Sequence, residues 1–113
     1  MQECIFCKIV KKEIPSEVVY EDERILAFRD ISPLAPVHVL IIPKEHLVNV
    51  LDINEENVDL IGHIHLVANK LAREAGIAEK GFRIVTNCNE EGGQIVFHMH
   101  YHLIGGEELK NFA

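Results

Sequence analysis

The sequence has few of the residues that mark membrane proteins and disulfide-rich chains. Tryptophan is absent, and there are only 3 cysteines and 4 prolines among 113 residues. The longest purely aliphatic run, at residues 39–42, falls far short of the roughly 18 residues of a membrane span. Three cysteines do not make a disulfide scaffold, and the first residues lack the basic start and long apolar middle of a signal peptide. We therefore expect a soluble, cytoplasmic protein.

Positive charge is also scarce. The chain carries 11 basic and 18 acidic side chains, for a net charge of −7. This balance argues against binding to nucleic-acid duplexes, which depends on a basic footprint. A small anionic ligand is compatible with it, since a local pocket can oppose the global charge. Because 48% of the residues are hydrophobic and no linker or repeat interrupts them, residues 1–113 are predicted to form a single domain.

The spacing of apolar residues predicts the secondary structure. A short helix is predicted over residues 5–13. A long helix is predicted behind Asp52, which resembles an N-cap with Glu55 as its partner, and Gly76 is predicted to close it. Strand-forming runs predict five strands, at residues 18–20, 25–28, 37–42, 82–87 and 94–104. Hairpin-length connections favour an antiparallel α+β sheet over a βαβ array.

Three histidines at alternate positions are the most informative feature. On a strand, His98, His100 and His102 share one face at intervals of about 6.8 Å, whereas on a helix His100 points away from the other two. An apolar opposite face favours the strand, and its predicted members are Ile95, Phe97, Met99, Tyr101 and Leu103. Such a row can ligate zinc or perform nucleophilic catalysis. The polar, glycine-containing loop at residues 89–93 suits a bound phosphate next to it.

The segment HMHYHLI at residues 98–104 resembles the His-φ-His-φ-His-φ-φ signature of the histidine triad (HIT) superfamily, where φ is apolar. Further matching segments cover essentially the whole chain, at residues 5–9, 13–15, 27–33, 36–38, 42–46, 87 and 92–94. The resemblance is to the Hint branch of nucleoside phosphoramidases, of the bacterial and archaeal type with an N-terminal Cys-x-x-Cys. It implies the α+β HIT fold, a five-stranded antiparallel sheet with one long and one short helix. It also implies a homodimer whose strands join into one continuous sheet.

The resemblance implies an activity and a role for each histidine. The expected reaction is hydrolysis of nucleoside 5′-phosphoramidates, of adenosine or another purine nucleoside, to the monophosphate. His100 is expected to attack the α-phosphorus and form a transient nucleotidyl-histidine. His102 is expected to bind the phosphate and handle protons at the leaving group. His98 is expected to support these two, and His38 to supply an orienting contact.

A nucleotide site is implied in the same way. Asp30 is expected to hold the ribose hydroxyls. The residues expected to line the base pocket are Ile5, Phe6, Ile9, Phe28 and Ile31. Those expected to meet the phosphate or the leaving group are Asn87, Gly93, Gln94 and the backbone of Ile95. At position 95 the relatives usually carry serine, so one polar contact is missing here.

The pair Cys4-x-x-Cys7 has the spacing of a zinc half-site. A thioredoxin-like redox pair and two packed thiols are the alternatives. The resemblance implies that His46 and His98 complete a Cys₂His₂ tetrahedron. One structural Zn²⁺ per chain is therefore expected, which leaves His100 free for chemistry.

Two other functions stay open at the level of sequence. One is hydrolysis of dinucleoside polyphosphates, although Gly105-Gly106 after the triad resembles the Hint branch more closely. The other is a nucleotide-binding interaction protein with vestigial catalysis. The isoleucine at position 95 keeps this second alternative open.

Overall fold

The computed structural model describes residues 4–110. Its elements follow in the order α1 (Ile5–Val10), β1 (Val18–Glu21), β2 (Ile25–Arg29), β3 (Val37–Pro43), α2 (Val58–Glu74), β4 (Phe82–Thr86) and β5 (Tyr101–Gly105). Short 3₁₀ turns lie at Val50–Asp52 and Glu90–Gly92. The predicted order of a short helix, three strands, a long helix and two strands is confirmed.

All five strands join one antiparallel sheet in the order β1-β2-β3-β5-β4. The predicted α+β class and the five-stranded sheet are therefore confirmed. β5 lies between β3 and β4, with His102 directly opposite Leu40 of β3 and Val85 of β4. The strand that carries the last histidine of the triad is thus held by ladders on both of its edges.

Alternation along the strands separates two apolar layers. One layer lies under α2, whose buried residues are Leu60, Ile64, Val67, Ala68, Leu71 and Ala72. The other lies under α1, and its members are Phe6, Ile9, Leu26, Phe28, Leu40 and Ile42. Each fully buried side chain of this size contributes about 1.5–3 kcal/mol. The histidines face the smaller layer, next to α1, because His38 and His102 occupy the alternate positions of their strands.

The end of α1 and the start of α2 differ from the prediction, whereas α2 closes at Gly76, with φ 76°, as expected. α1 stops at Val10 because Lys12 adopts a φ of 66° and the N–H of Glu13 returns to the carbonyl of Lys8 at 2.8 Å. This pattern is a Schellman C-cap, formed here without glycine. α2 begins only at Val58, so the predicted N-cap at Asp52 is wrong. The Asp52 carboxylate accepts the N–H of Val48 instead, at 2.7 Å.

The strand predicted over residues 94–104 is shorter, since β5 begins at Tyr101. The ladder ends there because its next groups have other partners. The carbonyl of His100 accepts the Thr86 hydroxyl at 2.8 Å, and the N–H of Met99 donates to the carbonyl of Leu47 at 2.6 Å. Met99, Tyr101 and Leu103 do line the core under α2.

The prediction is wrong for the rest of the apolar face. Ile95 and Phe97 are 86% and 46% exposed, so neither residue belongs to the buried face of a strand. Within residues 4–110, neither helix has the length and apolar character needed to cross a bilayer.

Candidate active site and metal centre

The histidines form one continuous row beneath α1. The His100 ring lies 5.1 Å from the ring of Phe6 and 5.2 Å from that of His102. The His98 ring lies 5.9 Å from Phe6 on the other side. Both contacts to Phe6 are edge-to-face, a favoured packing for aromatic rings. The short helix therefore covers the triad and keeps it partly out of water.

Backbone partners define which nitrogen of His100 carries its proton. Nδ1 of His100 lies 2.7 Å from the carbonyl oxygen of His98, and only an N–H can donate to a carbonyl. The proton is therefore on Nδ1, and Nε2 keeps its lone pair. Burial lowers the pKa of His100 below its ordinary value, which keeps the ring neutral near pH 7. A neutral imidazole with a free Nε2 is a nucleophile.

A second chain of hydrogen bonds fixes the proton of His102. The N–H of Leu34 donates to Nδ1 of His38 at 3.0 Å, so the proton of the neutral His38 ring is on Nε2. That Nε2–H donates to Nδ1 of His102 at 2.9 Å. His102 consequently carries its own proton on Nε2, the ring atom turned away from His38.

Charge is disfavoured in this part of the site. Burial, with smaller contributions from His100 and His38, lowers the pKa of His102 to about 4. Burial also lowers the pKa of His38, against the opposing effect of the Asp30 carboxylate. Oδ2 of that carboxylate lies 3.5 Å from Nε2 of His38. At neutral pH the three rings are therefore uncharged, each with a defined donor and acceptor.

Proximity alone makes Asp30, His38 and His102 a possible cation site, since their ligand atoms lie within 4.8 Å of one another. The hydrogen bonds argue against this interpretation. Because Nδ1 of His38 already accepts the N–H of Leu34, its Nε2 is protonated and offers no lone pair to a metal. The three residues form a directional hydrogen-bond chain instead.

The other end of the row has a different character. One ligand atom from each of Cys4, Cys7, His46 and His98 lies within 4.8 Å of the others. Nε2 of His98 donates to the carbonyl of Pro43 at 2.8 Å, so its Nδ1 is bare and turned toward the cluster. This is the second contact that orients a metal-binding histidine in known sites. The predicted grouping of these four residues is confirmed.

The spacing fits a tetrahedral ion. With metal–sulfur bonds of about 2.3 Å and metal–nitrogen bonds of about 2.0–2.1 Å, a tetrahedron places S and N about 3.5 Å apart and two N atoms about 3.3 Å apart. The cluster has His98 Nδ1 at 3.3 Å from Cys4 Sγ and 3.6 Å from Cys7 Sγ. His46 Nδ1 lies 3.3 Å from Cys7 Sγ and 3.1 Å from His98 Nδ1.

The sulfurs also have the environment of metal ligands. Burial, followed by the hydrogen bond from the Cys4 sulfur and its charge, raises the pKa of the Cys7 thiol. Two neighbouring thiolates are therefore unfavourable unless a cation lies between them. The N–H of Cys7 donates to Cys4 Sγ at 3.2 Å, the kind of contact that holds a ligating sulfur in place.

The residues expected around a nucleotide base occupy two environments. Phe6, Ile9 and Phe28 are buried in one apolar cluster, with the rings of Phe6 and Phe28 5.7 Å apart. Ile5 and Ile31 are exposed, by 45% and 96%. Asp30, at the end of β2, accepts the N–H of Ser32 through Oδ1 at 2.7 Å.

The expected phosphate loop follows β4. Nδ2 of Asn87 donates to the carbonyl of Gly92 at 2.7 Å, and Gly93 has a φ of 86° that favours glycine. Every N–H of Gln94 already has an internal acceptor: Val48, Val96 and Asn89 supply the carbonyls. Gln94 therefore shapes the loop, and its expected contact with the phosphate or the leaving group stays a prediction.

Asn49 was missed at the level of sequence. It is 4% exposed and donates through Nδ2 to Gln94 Oε1 and to Asn89 Oδ1. The available signal was a single polar residue inside the apolar run LVNVL at residues 47–51. A buried amide must find partners, so such a residue predicts a structural hydrogen bond.

Comparison with known proteins gives consistent matches over nearly the whole chain. The family model described as HIT domain matches residues 11–109. The purine nucleoside phosphoramidase of Escherichia coli (strain K12) is 49% identical over 108 residues, which span 96% of this chain and 91% of that protein. Among solved structures, a HIT family hydrolase from Clostridium thermocellum has a TM-score of 0.95 and 56% identity, covering 99% of this chain and 97% of that one. A histidine triad protein from Clostridium difficile has a TM-score of 0.95 and 49% identity, with 100% and 98% covered.

Proposed function

This chain belongs to the HIT domain family, and on that premise we propose that it hydrolyses purine nucleoside 5′-phosphoramidates to the nucleoside monophosphate and an amine. The observation that carries the proposal is the orientation of His100. Its Nδ1–H is fixed on the His98 carbonyl, so the free Nε2 is the atom available to attack phosphorus. The 49% identity to a purine nucleoside phosphoramidase supports the substrate class.

The proposed reaction has two steps. In the first, Nε2 of His100 attacks the α-phosphorus, an N–P bond to the enzyme forms, and the N–P bond to the amine breaks. In the second, water attacks the nucleotidyl-histidine and releases the monophosphate. Overall one water is consumed, its hydroxyl ending on phosphorus and its proton on the amine. Two steps of this kind replace one direct attack of water on an anionic phosphorus.

His102 and His38 act on the charge and protons of this reaction. The Nε2–H of His102 is proposed to donate hydrogen bonds to the phosphate oxygens and to the departing nitrogen. The proton that the amine gains comes from water, because the uncharged His102 ring keeps its only N–H. His38 keeps the His102 proton on Nε2 by donating to the opposite nitrogen of the ring. Removing one fixed donor to a developing oxyanion commonly costs about 3–4 kcal/mol.

The nucleotide is proposed to lie along the row, under α1. Asp30 is placed at the ribose because its carboxylate stands beside His38 at the end of β2. The base is placed against the α1 layer, with Ile5, Phe6, Ile9, Phe28 and Ile31 as its proposed lining. Asn87, Gly93, Gln94 and the backbone of Ile95 are proposed to form the phosphate side of the site, Gln94 by shaping the loop.

The metal is proposed to be zinc, one ion per chain, held by Cys4, Cys7, His46 and His98. Two thiolates and two imidazoles at tetrahedral spacing form a closed site that suits Zn²⁺. The ion supplies a cross-link between α1, the segment after β3 and the triad. With four protein ligands no position is left for substrate, so the proposed role is structural.

A homodimer in the cytoplasm is proposed as the working form. β4 is an edge strand whose residues are all half-buried, so its outer backbone row can pair with a second copy. A reducing compartment is proposed because the two thiols at the metal centre must stay reduced to bind the ion.

A substrate panel tests the proposed reaction. Purified protein is given an adenosine 5′-phosphoramidate, the guanosine and cytidine equivalents, and a diadenosine polyphosphate, and product formation is followed chromatographically. We expect the purine phosphoramidates to be cleaved fastest, with a nucleotidyl-enzyme seen by mass spectrometry after rapid mixing. Faster cleavage of the polyphosphate contradicts the proposal. Nucleotide binding without any turnover assigns the chain to the interaction class that Ile95 leaves open.

A further inference from the structure

A network of amides, buried at Asn49 and Gln94 and exposed at Asn89, joins the expected phosphate loop to the segment that leads away from the Cys and His cluster. Asn49 Nδ2 lies 2.9 Å from Asn89 Oδ1 and 3.2 Å from Gln94 Oε1. Its Oδ1 accepts the N–H of Leu51 at 3.0 Å, so both ends of the side chain are used. Because Leu51 can only donate here, the amide orientation of Asn49 is fixed. The side-chain amide of Asn49 donates to the side-chain oxygens of both Asn89 and Gln94.

Gln94 is fixed just as firmly. Its Oε1 accepts the N–H of Asn89 at 2.8 Å in addition to the Asn49 amide. Its Nε2 donates to the carbonyls of Val48 at 2.7 Å and Val96 at 3.1 Å. Gln94 is 5% exposed, so the loss of any one of these partners removes one of the two hydrogen bonds at a buried polar atom.

The network holds a strained backbone. Asn89 has φ 62° and ψ −179°, a combination that is essentially restricted to glycine. Residues in such regions cost about 1–3 kcal/mol each and persist only when their surroundings over-determine them. Here the Asn89 N–H is held by Gln94, its Oδ1 by Asn49, and its carbonyl accepts the N–H groups of Gly92 and Gln94.

The strained residue lies within the loop that the proposed function assigns to the phosphate. The turn from Asn89 to Gln94 brings Asn87 and Gly93 together, with Asn87 Nδ2 3.6 Å from the position of a Cβ on Gly93. If Asn89 relaxed to an ordinary conformation, the chain direction at the start of this turn would change. The orientation of the groups around Gly93 therefore depends on the three amides.

We propose that Asn49 is a positioning residue for the α-phosphate. Through Gln94 and Asn89 it holds residues 87–95 in the strained shape that presents this loop to the phosphate. Asn49 itself touches neither substrate nor the reacting atoms. The inference rests on the proposed function for the identity of the ligand, a nucleoside 5′-phosphate.

The first test is Asn49→Asp, a change of nearly equal volume. The new carboxylate still accepts the Leu51 N–H but faces the oxygens of Asn89 and Gln94, so two donations are lost. Affinities for AMP and for adenosine are measured by titration, with metal content checked in each sample. We expect AMP affinity to fall roughly 10- to 100-fold, as misplacement of binding groups by about 1 Å can cost. Adenosine affinity and metal content are expected to stay unchanged.

A matched control is Asn54→Asp. Asn54 is exposed in the connection to α2, and it only accepts, from the N–H groups of Glu56 and Asn57, which an aspartate also does. We expect wild-type affinities for both ligands in this variant. Equal loss of AMP and adenosine binding in Asn49→Asp, or no loss of either, overturns the positioning role.

The second variant is Asn89→Gly, which we expect to fold even if Asn49→Asp does not. Glycine tolerates the strained backbone and retains the N–H bond to Gln94, so only the oxygen that accepts from Asn49 is removed. Because glycine holds this backbone without help from the network, we expect Asn89→Gly to keep AMP affinity within about twofold of the wild type. Asn89→Ala loses the same oxygen but does not tolerate this φ, so its AMP affinity should fall by roughly 10-fold or more with adenosine affinity unchanged. Equal AMP affinity in the glycine and alanine variants overturns the inference.

The two proposals fail separately. If the wild-type chain cleaves no phosphoramidate but Asn49→Asp still weakens AMP selectively, the proposed reaction is wrong and the positioning of a nucleotide phosphate stands. If the wild-type chain cleaves phosphoramidates and Asn49→Asp retains its kcat, KM and AMP affinity, the reaction stands and the positioning role is wrong.

Discussion

The two ends of the histidine row use the same side chain for opposite purposes. At the metal end, the Nδ1 atoms of His46 and His98 lie 3.1 Å from each other, and that of His98 is bare. At the catalytic end, His38 and His102 face each other as donor and acceptor, 2.9 Å apart. Convergent lone pairs attract a cation, whereas a donor–acceptor pair holds protons in place. The difference lies in the partners of each ring rather than in the residue type.

His98 belongs to both ends. Its side chain is part of the metal cluster, and its backbone carbonyl holds Nδ1–H of His100 at 2.7 Å. We therefore expect the coupling between the ends to run mainly in one direction. Loss of the proposed metal should disturb His100, whereas loss of the His100 ring should leave all four proposed ligands in place.

The largest expected effect is a loss of kcat from a substitution at the catalytic end alone. His100→Ala removes the attacking nitrogen, so kcat for a phosphoramidate should fall by several orders of magnitude. AMP affinity should stay within roughly tenfold, because the nucleophile acts mainly at the transition state. Metal content, measured by elemental analysis, should match the wild type. A variant that retains more than about a tenth of wild-type kcat excludes covalent catalysis through His100.

The next largest effect is expected at the metal end, on metal content and Tm. Cys7→Ser removes one thiolate, so we expect the protein to lose its zinc and its Tm to fall by roughly 10 °C or more, since 1 kcal/mol shifts Tm by about 4–8 °C in domains near this size. His46→Ala and Cys4→Ser should behave similarly. Cys88→Ser is the matched control, because this third cysteine lies outside the cluster.

Zinc analysis uses protein purified without chelators or metal-binding tags. A stoichiometry near zero in the wild type refutes the metal centre. A wild-type kcat in zinc-free Cys7→Ser would show that the His98 carbonyl holds His100 without help from the ion.

A smaller expected effect concerns the stability of the fold at acid pH. The pKa of His102 is about 4 in the folded chain and about 6.5 in the unfolded chain, so the unfolded state binds more protons between these values. The stability that the neutral ring contributes is present above about pH 6.5 and is lost as the pH falls toward 4. We expect His102→Gln to lose less stability than the wild type between about pH 7 and pH 5.

Urea unfolding at both pH values measures this difference. The metal ligands are the same in both proteins, so their own acid sensitivity cancels. His65→Gln, an exposed substitution on α2, is the control and should keep the wild-type pH dependence. Equal slopes for His102→Gln and the wild type would show that His102 is not held neutral by the fold.

The smallest expected effect is a change in kcat/KM on the phosphate side of the site. Ile95 is exposed in the loop before the triad, so Ile95→Ser should leave Tm unchanged. The added hydroxyl should raise kcat/KM for phosphoramidates by roughly 2- to 12-fold, corresponding to a hydrogen bond of about 0.5–1.5 kcal/mol at the departing nitrogen. AMP affinity should change little. An unchanged or lower rate in the folded variant would show that the leaving group does not contact this position.

Local patterns were enough for much of this molecule. The apolar spacing that predicted α2 includes Leu60, Ile64, Val67 and Leu71, and all four are buried. The alternation of the strands placed Met99, Tyr101 and Leu103 in the core. The alternation continued to Ile95 and Phe97 in sequence but not in structure. The pattern could not show that Thr86 and Leu47 take the hydrogen bonds needed to extend β5.

The sequence by itself determined which side chains form the site, because the triad and the Cys-x-x-Cys pair are short-range patterns with few alternatives. Only the tertiary structure decided what each histidine does. The proton of a neutral imidazole sits on the nitrogen that has an acceptor, and those partners come from distant segments: Pro43 for His98, and Leu34 through His38 for His102. Folding therefore gives three chemically equal side chains different hydrogen-bond partners, which suit the proposed roles of a metal ligand, a nucleophile and a donor.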